Sequence, residues 1–153
     1  MTANDVLMQD HRELEDAYTD FVAAEGEERE ELAKQILTDL TVHAIVEEEF
    51  YYPLLEEAGE KALADEARAE HEGVKVYIAK LSMMDVDSEE YAPAMKAMME
   101  SVLHHVAEEE STAMPRMEEI IGTERLEEMV PEMEARKEEL RESTMKRLFA
   151  AIT

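Results

Sequence analysis

The sequence predicts an all-α protein, an up-down-up-down four-helix bundle followed by a further helical segment. Three observations carry that expectation. Glycine and proline number only four each in 153 residues, while Glu, Ala, Leu, Met, Lys and Arg dominate, which is the composition of a helix former. Short β-branched runs are few, so a sheet is not expected. Apolar residues recur at three- and four-residue spacing between glycine-marked turns.

Helix 1 is read from Asn4 or Asp5, as N-cap candidates, to about Glu25, with a stripe of Val6, Leu7, Leu14, Tyr18, Phe21 and Val22. Gly26 marks the turn. Helix 2 is read from Glu28 to Ala58 on Leu32, Ile36, Leu37, Leu40, Val42, Ile45 and Val46, bent near Pro53. After Gly59 a third helix runs to about Met84, and Asp85-Val86-Asp87-Ser88 forms the next turn. Helix 4 starts near Glu89, accommodates Pro93 early and continues to about Met114. Gly122-Thr123 restarts helix through the C-terminus, broken near Pro131. The expected organisation is a bundle over residues 1–118 and an extension over 119–153, packed on the bundle or on a partner subunit. The length suits one core.

The net charge of −25, from 40 acidic and 15 basic residues, repels nucleic acid and anionic membrane surfaces, so neither is an expected partner. Most of those acids are read as a solvated face. The absence of cysteine excludes disulfides, thiolate zinc sites and iron–sulfur clusters. Met1 to Asp10 lacks a basic n-region and an apolar h-region, and no apolar run has membrane-spanning length. The expectation is a cytoplasmic monomer or small homo-oligomer. The methionines, including Met83, Met84, Met95, Met98 and Met99, are read as core filler rather than soft-metal ligands.

One arrangement occurs twice: His43-x3-Glu47-x5-Pro53 and His105-x3-Glu109-x5-Pro115. Each copy is preceded by an acid–His pair, Asp10-His11 and Glu70-His71, so four of the five histidines fall in a duplicated pattern. From His11 to Gly26 is 15 residues and from Gly26 to His43 is 17. At about 1.5 Å per residue the legs differ by roughly 3 Å, which returns both histidines to one level of an antiparallel pair. The legs from His71 to Asp87 and on to His105, 16 and 18 residues, behave alike. All four histidines are thus expected in one layer.

Residues at i and i+4 share a helix face, so His43 with Glu47, and His105 with Glu109, aim at common points. With His11 and His71 they offer four nitrogens and two carboxylates able to bridge a metal pair. Sulfur-free ligation of this kind suits iron or manganese and admits zinc. His104 with Glu108 forms a competing register; matching the copies through Pro115 favours His105 and Glu109. Tyr51, four residues beyond Glu47, continues the ligand face as a ligand, as a hydrogen-bond donor to one, or as a core tyrosine. The second copy has Ala113 there. Tyr52 is assigned to packing.

These motifs, Asp10-His11, His43-x3-Glu47 with Tyr51-Tyr52-Pro53, Glu70-His71 and His104-His105 with Glu108-Glu109-Glu110, resemble the hemerythrin-like, or HHE cation-binding, family over residues from about 4 to 116. The resemblance implies a four-helix bundle holding a non-haem di-iron centre. By it, one iron takes His11 and His43, the other His71 and His105, with Glu47 and Glu109 bridging. Where oxygen-carrying hemerythrins have a further histidine one turn after the helix-3 ligand, this chain has Lys75. With fewer nitrogen ligands the expectation moves from reversible oxygen carriage toward turnover of small ligands. Hydrogen peroxide breakdown of catalase or peroxidase type is favoured, with nitric oxide as a further substrate. Oxygen, nitric oxide or iron sensing without turnover is the alternative, and an acidic helical scaffold a third. The absence of a Glu-x-x-His pair argues against the ferritin-like class.

Overall fold

A computed structural model describes residues 1–149, and every regular element in that span is helical. The bundle consists of α1 (Ala3–Ala23), α2 (Gly26–Val46), α4 (Lys61–Ser82) and α5 (Tyr91–Glu108). Helices α3 (Tyr52–Glu57) and α6 (Met114–Ile120) prolong α2 and α5, and α7 (Thr123–Glu128) and α8 (Val130–Phe149) follow. No helix among the described residues is long and apolar enough to cross a membrane.

Helix α1 starts two residues earlier than its sequence signals suggested. Thr2 is the N-cap, accepting from the Asp5 amide while the Asp5 carboxylate accepts from the Thr2 amide, a capping box. Asn4 is thereby inside the helix and buried, where its Nδ2 donates to the Met114 carbonyl and to Glu118. Asp85 accepts from the Asp87 amide at 2.9 Å and so tightens the turn before α5. Gly59 and Gly122 sit at φ +88° and +92°, a conformation that favours glycine, just where α3 and α6 end.

The chief departure from the sequence reading is the same in both halves. Helix 2 is expected to run to Ala58 with a bend near Pro53, and helix 4 to about Met114. Instead each opens into a single π turn, Glu47–Tyr51 and Glu109–Ala113, in which the amides of Tyr52 and Met114 donate to the carbonyls five residues back. The prolines supply the reason. In a regular α-helix, Pro53 and Pro115 would lack the amide owed to the carbonyl four residues earlier and their rings would press on it. A wider turn immediately before each proline relieves the clash and absorbs one extra residue.

The core divides into two apolar clusters at different levels of the bundle. One gathers Val6, Leu7, Val46, Tyr51, Leu55, Met114, Met117, Leu126 and Met133. The other gathers Leu14, Phe21, Ile36, Leu37, Ile78, Leu81, Tyr91, Met95, Met98 and Met99. Positions 11 and 71 fall between the two sets on their helices, while 43 and 105 lie where the sets meet, beside Val42 of the first and Val106 of the second. Most of the methionines assigned to the core are there, but Met83, in the turn after α4, is 90% exposed. Helix α8 lies along α2 with Met133, Leu140 and Thr144 buried. The expected continuation of the helix through residue 153 falls partly outside the described residues.

Candidate metal centre

Each long helix contributes one imidazole to a single buried layer: His11 from α1, His43 from α2, His71 from α4 and His105 from α5. Glu47 and Glu109 each open a π turn and are buried, Glu47 completely. The Nε2 atoms converge. Those of His11 and His43 are 3.2 Å apart, and His43 and His71 each place Nε2 at 3.1 Å from Glu47 Oε1. His105 Nε2 lies 2.9 Å from Glu109 Oε2, and His11 Nε2 lies 3.4 Å from Glu109 Oε1. The donor atoms form two compact groups, His11, His43, Glu47 and Glu109 on one side and Glu47, His71 and His105 on the other.

Every Nδ1 is held from behind by a carboxylate. His11 pairs with Glu110 at 2.7 Å, His43 with Asp10 at 2.9 Å, His71 with Glu48 at 3.1 Å and His105 with Glu70 at 2.9 Å. Each such acid is the sequence neighbour of a layer residue on a different helix, so backbone positions that place one group also orient another. Three of the four carboxylates are themselves backed by a cation: Asp10 by Lys137 of α8, Glu48 by Lys75, and Glu110 by Arg12. Carboxylate-anchored imidazoles present a fixed Nε2 lone pair, the arrangement that tunes metal ligands. Lys75, where the resemblance led one to look for a histidine, therefore stands outside the donor cluster and steadies Glu48.

The electrostatics follow from this packing. Burial disfavours charge on His43, but Glu47 and Asp10 outweigh it and lift its pKa to about 10. Burial likewise opposes charge on His105, and Glu109 and Glu47 raise it to about 12. His71 moves the same way against its burial, through Glu47 and Glu48. Burial would raise Glu47, yet the surrounding imidazoles, His43 foremost, hold its carboxyl well below the ordinary range. The carboxylates around the imidazoles thus favour the charged forms of His43, His71 and His105.

The π turn changes which tyrosine faces the layer. Tyr52, not Tyr51, places its hydroxyl 2.9 Å from His71 Nε2, 3.1 Å from His105 Nε2 and 2.9 Å from Glu109 Oε2, to which it donates. Tyr51 donates to Asn4 Oδ1 at 2.5 Å. The extra residue in the turn rotates the following helix by one position, so four residues beyond Glu47 becomes five. Burial, then Glu47 and Glu109, push the Tyr52 phenol far above its usual pKa, so it keeps its proton. His104 points outward with its side chain 68% exposed and pairs with Glu108 at 3.1 Å. Both lie apart from the layer, although with Glu70 they form a small surface group.

A metal's fit to this layer can be judged from unmet bonding. Glu47 Oε2 and Glu109 Oε1 are buried with no hydrogen-bond partner, although an orphaned buried carboxylate oxygen is costly. Both belong to residues whose other oxygen touches the converging imidazoles. A cation among the Nε2 atoms would satisfy both oxygens, so the residues fit one.

The sequence profile of the hemerythrin HHE cation binding domain matches residues 2–117. The chain belongs to this family, and its layer is that of a hemerythrin-like metal-binding domain. It is 30% identical over 125 residues to an uncharacterised hemerythrin-like protein of Schizosaccharomyces pombe, covering 79% of this chain and 62% of that one. It is 24% identical over 143 residues to a DNA nickase of Nostoc, covering 93% of this chain and 41% of that one. The chain thus spans less than two thirds of either relative. A crystal structure of an HHE cation binding domain-containing protein from Mycobacterium kansasii superposes with a TM-score of 0.81 at 28% identity, covering 97% of this chain and 92% of that one.

Proposed function

We propose that the layer holds two irons and that the protein decomposes hydrogen peroxide, with nitric oxide as a second small ligand. The observation that carries the reading is the convergence of four anchored imidazoles on two buried carboxylates, each with an orphaned oxygen. His11 and His43 would hold one iron and His71 and His105 the other, with Glu47 and Glu109 shared. Sulfur-free nitrogen and oxygen donors suit iron, with manganese and zinc as lesser candidates. Bound iron would supply the Lewis acidity and redox cycling needed to convert two peroxides into two waters and dioxygen.

The chain's own residues do the rest. Asp10, Glu48, Glu70 and Glu110 fix the imidazoles so that little reorganisation accompanies a change of metal charge. Tyr52 keeps a proton at Oη against Glu109, within the layer rather than at its rim. The two apolar clusters border the layer above and below. Four nitrogens rather than five leave room for a small ligand, which favours turnover over storage. The nickase activity of the Nostoc relative is not carried over, because a chain of net charge −25 repels a polyphosphate backbone.

The test is anaerobic reconstitution with ferrous iron, metal analysis, an optical spectrum and oxygen evolution on adding peroxide. The expected result is two irons per chain, the visible bands of a bridged ferric pair and sustained oxygen release. A chain that takes up no iron sinks the centre. A loaded chain that forms a stable oxygen adduct and leaves peroxide untouched sinks the enzyme and leaves a binding protein.

A further inference from the structure

A cavity of about 420 Å³ adjoins the layer and extends from it, between the bundle helices, to α8. Water occupies about 30 Å³ in the liquid, so this space is many times larger than peroxide or dioxygen requires and falls in the range of organic-ligand pockets. Its walls are mainly aliphatic, with Leu40, Val74, Ile78 and Val102 prominent. Peroxide chemistry gives no reason for such a volume.

The charges around it depart from those of the whole chain. Overall, 40 acids face 15 Lys and Arg, but the cavity is lined by four of each: Lys75, Lys137, Arg141 and Arg147 against Asp10, Glu13, Asp39 and Glu47. Asp10 and Glu47 are engaged with His43 at 2.9 and 3.1 Å. On the other side Lys137 is paired with Asp10 and Lys75 with Glu48 and Glu72, which leaves Arg141 and Arg147 as the cations for a ligand. Asp39 meets Arg141 only at 3.6 Å. Arg141 and Arg147 both come from α8, so that helix lays cations over an apolar chamber in an otherwise strongly acidic molecule. An anion would be repelled from most of this surface and far less so here, where Arg141 and Arg147 can meet it.

We propose that the cavity binds an amphipathic organic monoanion, with its apolar body against Leu40, Val74, Ile78 and Val102 and its carboxylate at Arg141 and Arg147. The apolar part supplies affinity by burial, and the two guanidinium groups fix the orientation. The ligand's head points away from the layer and toward α8. Its tail lies beside the imidazoles and closes the wide approach to them. The site depends on the cavity and α8, not on the identity of the metal, so it stands or falls separately from the di-iron reading.

Dodecanoate, kept below its micelle concentration, is the probe, titrated by calorimetry into the full chain both as the metal-free protein and after iron loading. One-to-one binding in both forms is expected. Combined Arg141→Glu and Arg147→Glu, on exposed positions that leave the core intact, should weaken it roughly tenfold or more. Val74→Trp, filling the cavity, should abolish it. If that variant fails to fold by circular dichroism, the charge reversals decide. Absence of binding overturns the proposal. So does equal binding of dodecanol or dodecyltrimethylammonium, which would mean that the cations play no part. Binding seen only with iron present, and indifferent to the reversals, would place the carboxylate on the metal and also overturn it. Dodecanoate binding to a chain that takes up no iron would keep this site and remove the di-iron reading instead.

Discussion

Tyr52→Phe removes one oxygen from the centre of the histidine layer, and the structure sets the scale of the effect. The hydroxyl donates to Glu109 Oε2 at 2.9 Å and lies at 2.9 and 3.1 Å from His71 and His105. Glu109 Oε1 already lacks a hydrogen-bond partner, so the variant leaves that carboxylate with His105 and the longer 3.4 Å approach of His11. A buried hydrogen bond to a charged group contributes about 1.5–3 kcal/mol, whereas a neutral one contributes about 0.5–1.5 kcal/mol. Tyr51→Phe loses only the bond to the Asn4 amide oxygen. Urea denaturation of the metal-free proteins should therefore rank wild type above Tyr51→Phe and Tyr51→Phe above Tyr52→Phe. In thermal melts, at about 2–4 °C per kcal/mol for a chain of this size, the Tyr52→Phe midpoint should fall by roughly 3–12 °C. A Tyr51→Phe loss equal to or larger than that of Tyr52→Phe would refute the reasoning, because the π turn would not then be directing Tyr52 into the layer.

Asp10→Asn, which replaces the anchor of His43 Nδ1 by a neutral amide, should weaken metal binding by about 10–100-fold in a competitive chelator titration while leaving the fold intact. His104→Ala should keep the full metal stoichiometry and His105→Ala should lose part of it, since only His105 reaches the buried carboxylates; metal analysis of both variants checks this. His43 and His105 are raised above the ordinary histidine value, to about 10 and about 12, so their charge stabilises the metal-free fold fully below about pH 6.5. That contribution declines as pH rises from there through the folded-state values, and thermal melts of metal-free protein should fall between pH 7 and 10. Metal uptake at pH 7 should release protons into weak buffer, because liganded imidazoles must be neutral; a pH-stat reads it directly.

The layer itself was legible because helix rise is regular. Counting residues from His11 and His43 to Gly26, and from His71 and His105 to Asp87, needs only a straight helix and a tight turn. The same regularity hid Tyr52. Face arithmetic at 3.6 residues per turn selects Tyr51, and one π turn moves the selection by one. The signal was present in Pro53 and Pro115, each of which makes the preceding regular turn unfavourable, but a proline marks a bend without saying that the turn before it widens by one residue. The carboxylates behind the imidazoles were visible as Asp10-His11, Glu70-His71 and the Glu-Glu pairs. Their pairing was not, since each bonds a histidine of a different helix and only the assembled bundle brings them together. Lys137, 127 residues from Asp10 in the chain, is beyond any local rule.

The two halves of the layer are built alike, and the exception is informative. Each half supplies two anchored imidazoles and one carboxylate at the mouth of a π turn, and each π turn precedes a proline. Five residues beyond Glu47 stands Tyr52, while five beyond Glu109 stands Met114. The repeat therefore places a proton-bearing phenol next to His71 and His105 and offers only a thioether at the corresponding sequence position. The sequence alone located this asymmetry one residue earlier, between Tyr51 and Ala113. The π turn does not remove the asymmetry; it replaces an exchange of phenol for methyl in the core by one of phenol for thioether, with the phenol at the layer. Cation storage alone would not require a proton at one of two equivalent positions, whereas the proposed reduction of peroxide to water would use a proton-bearing group held beside the layer.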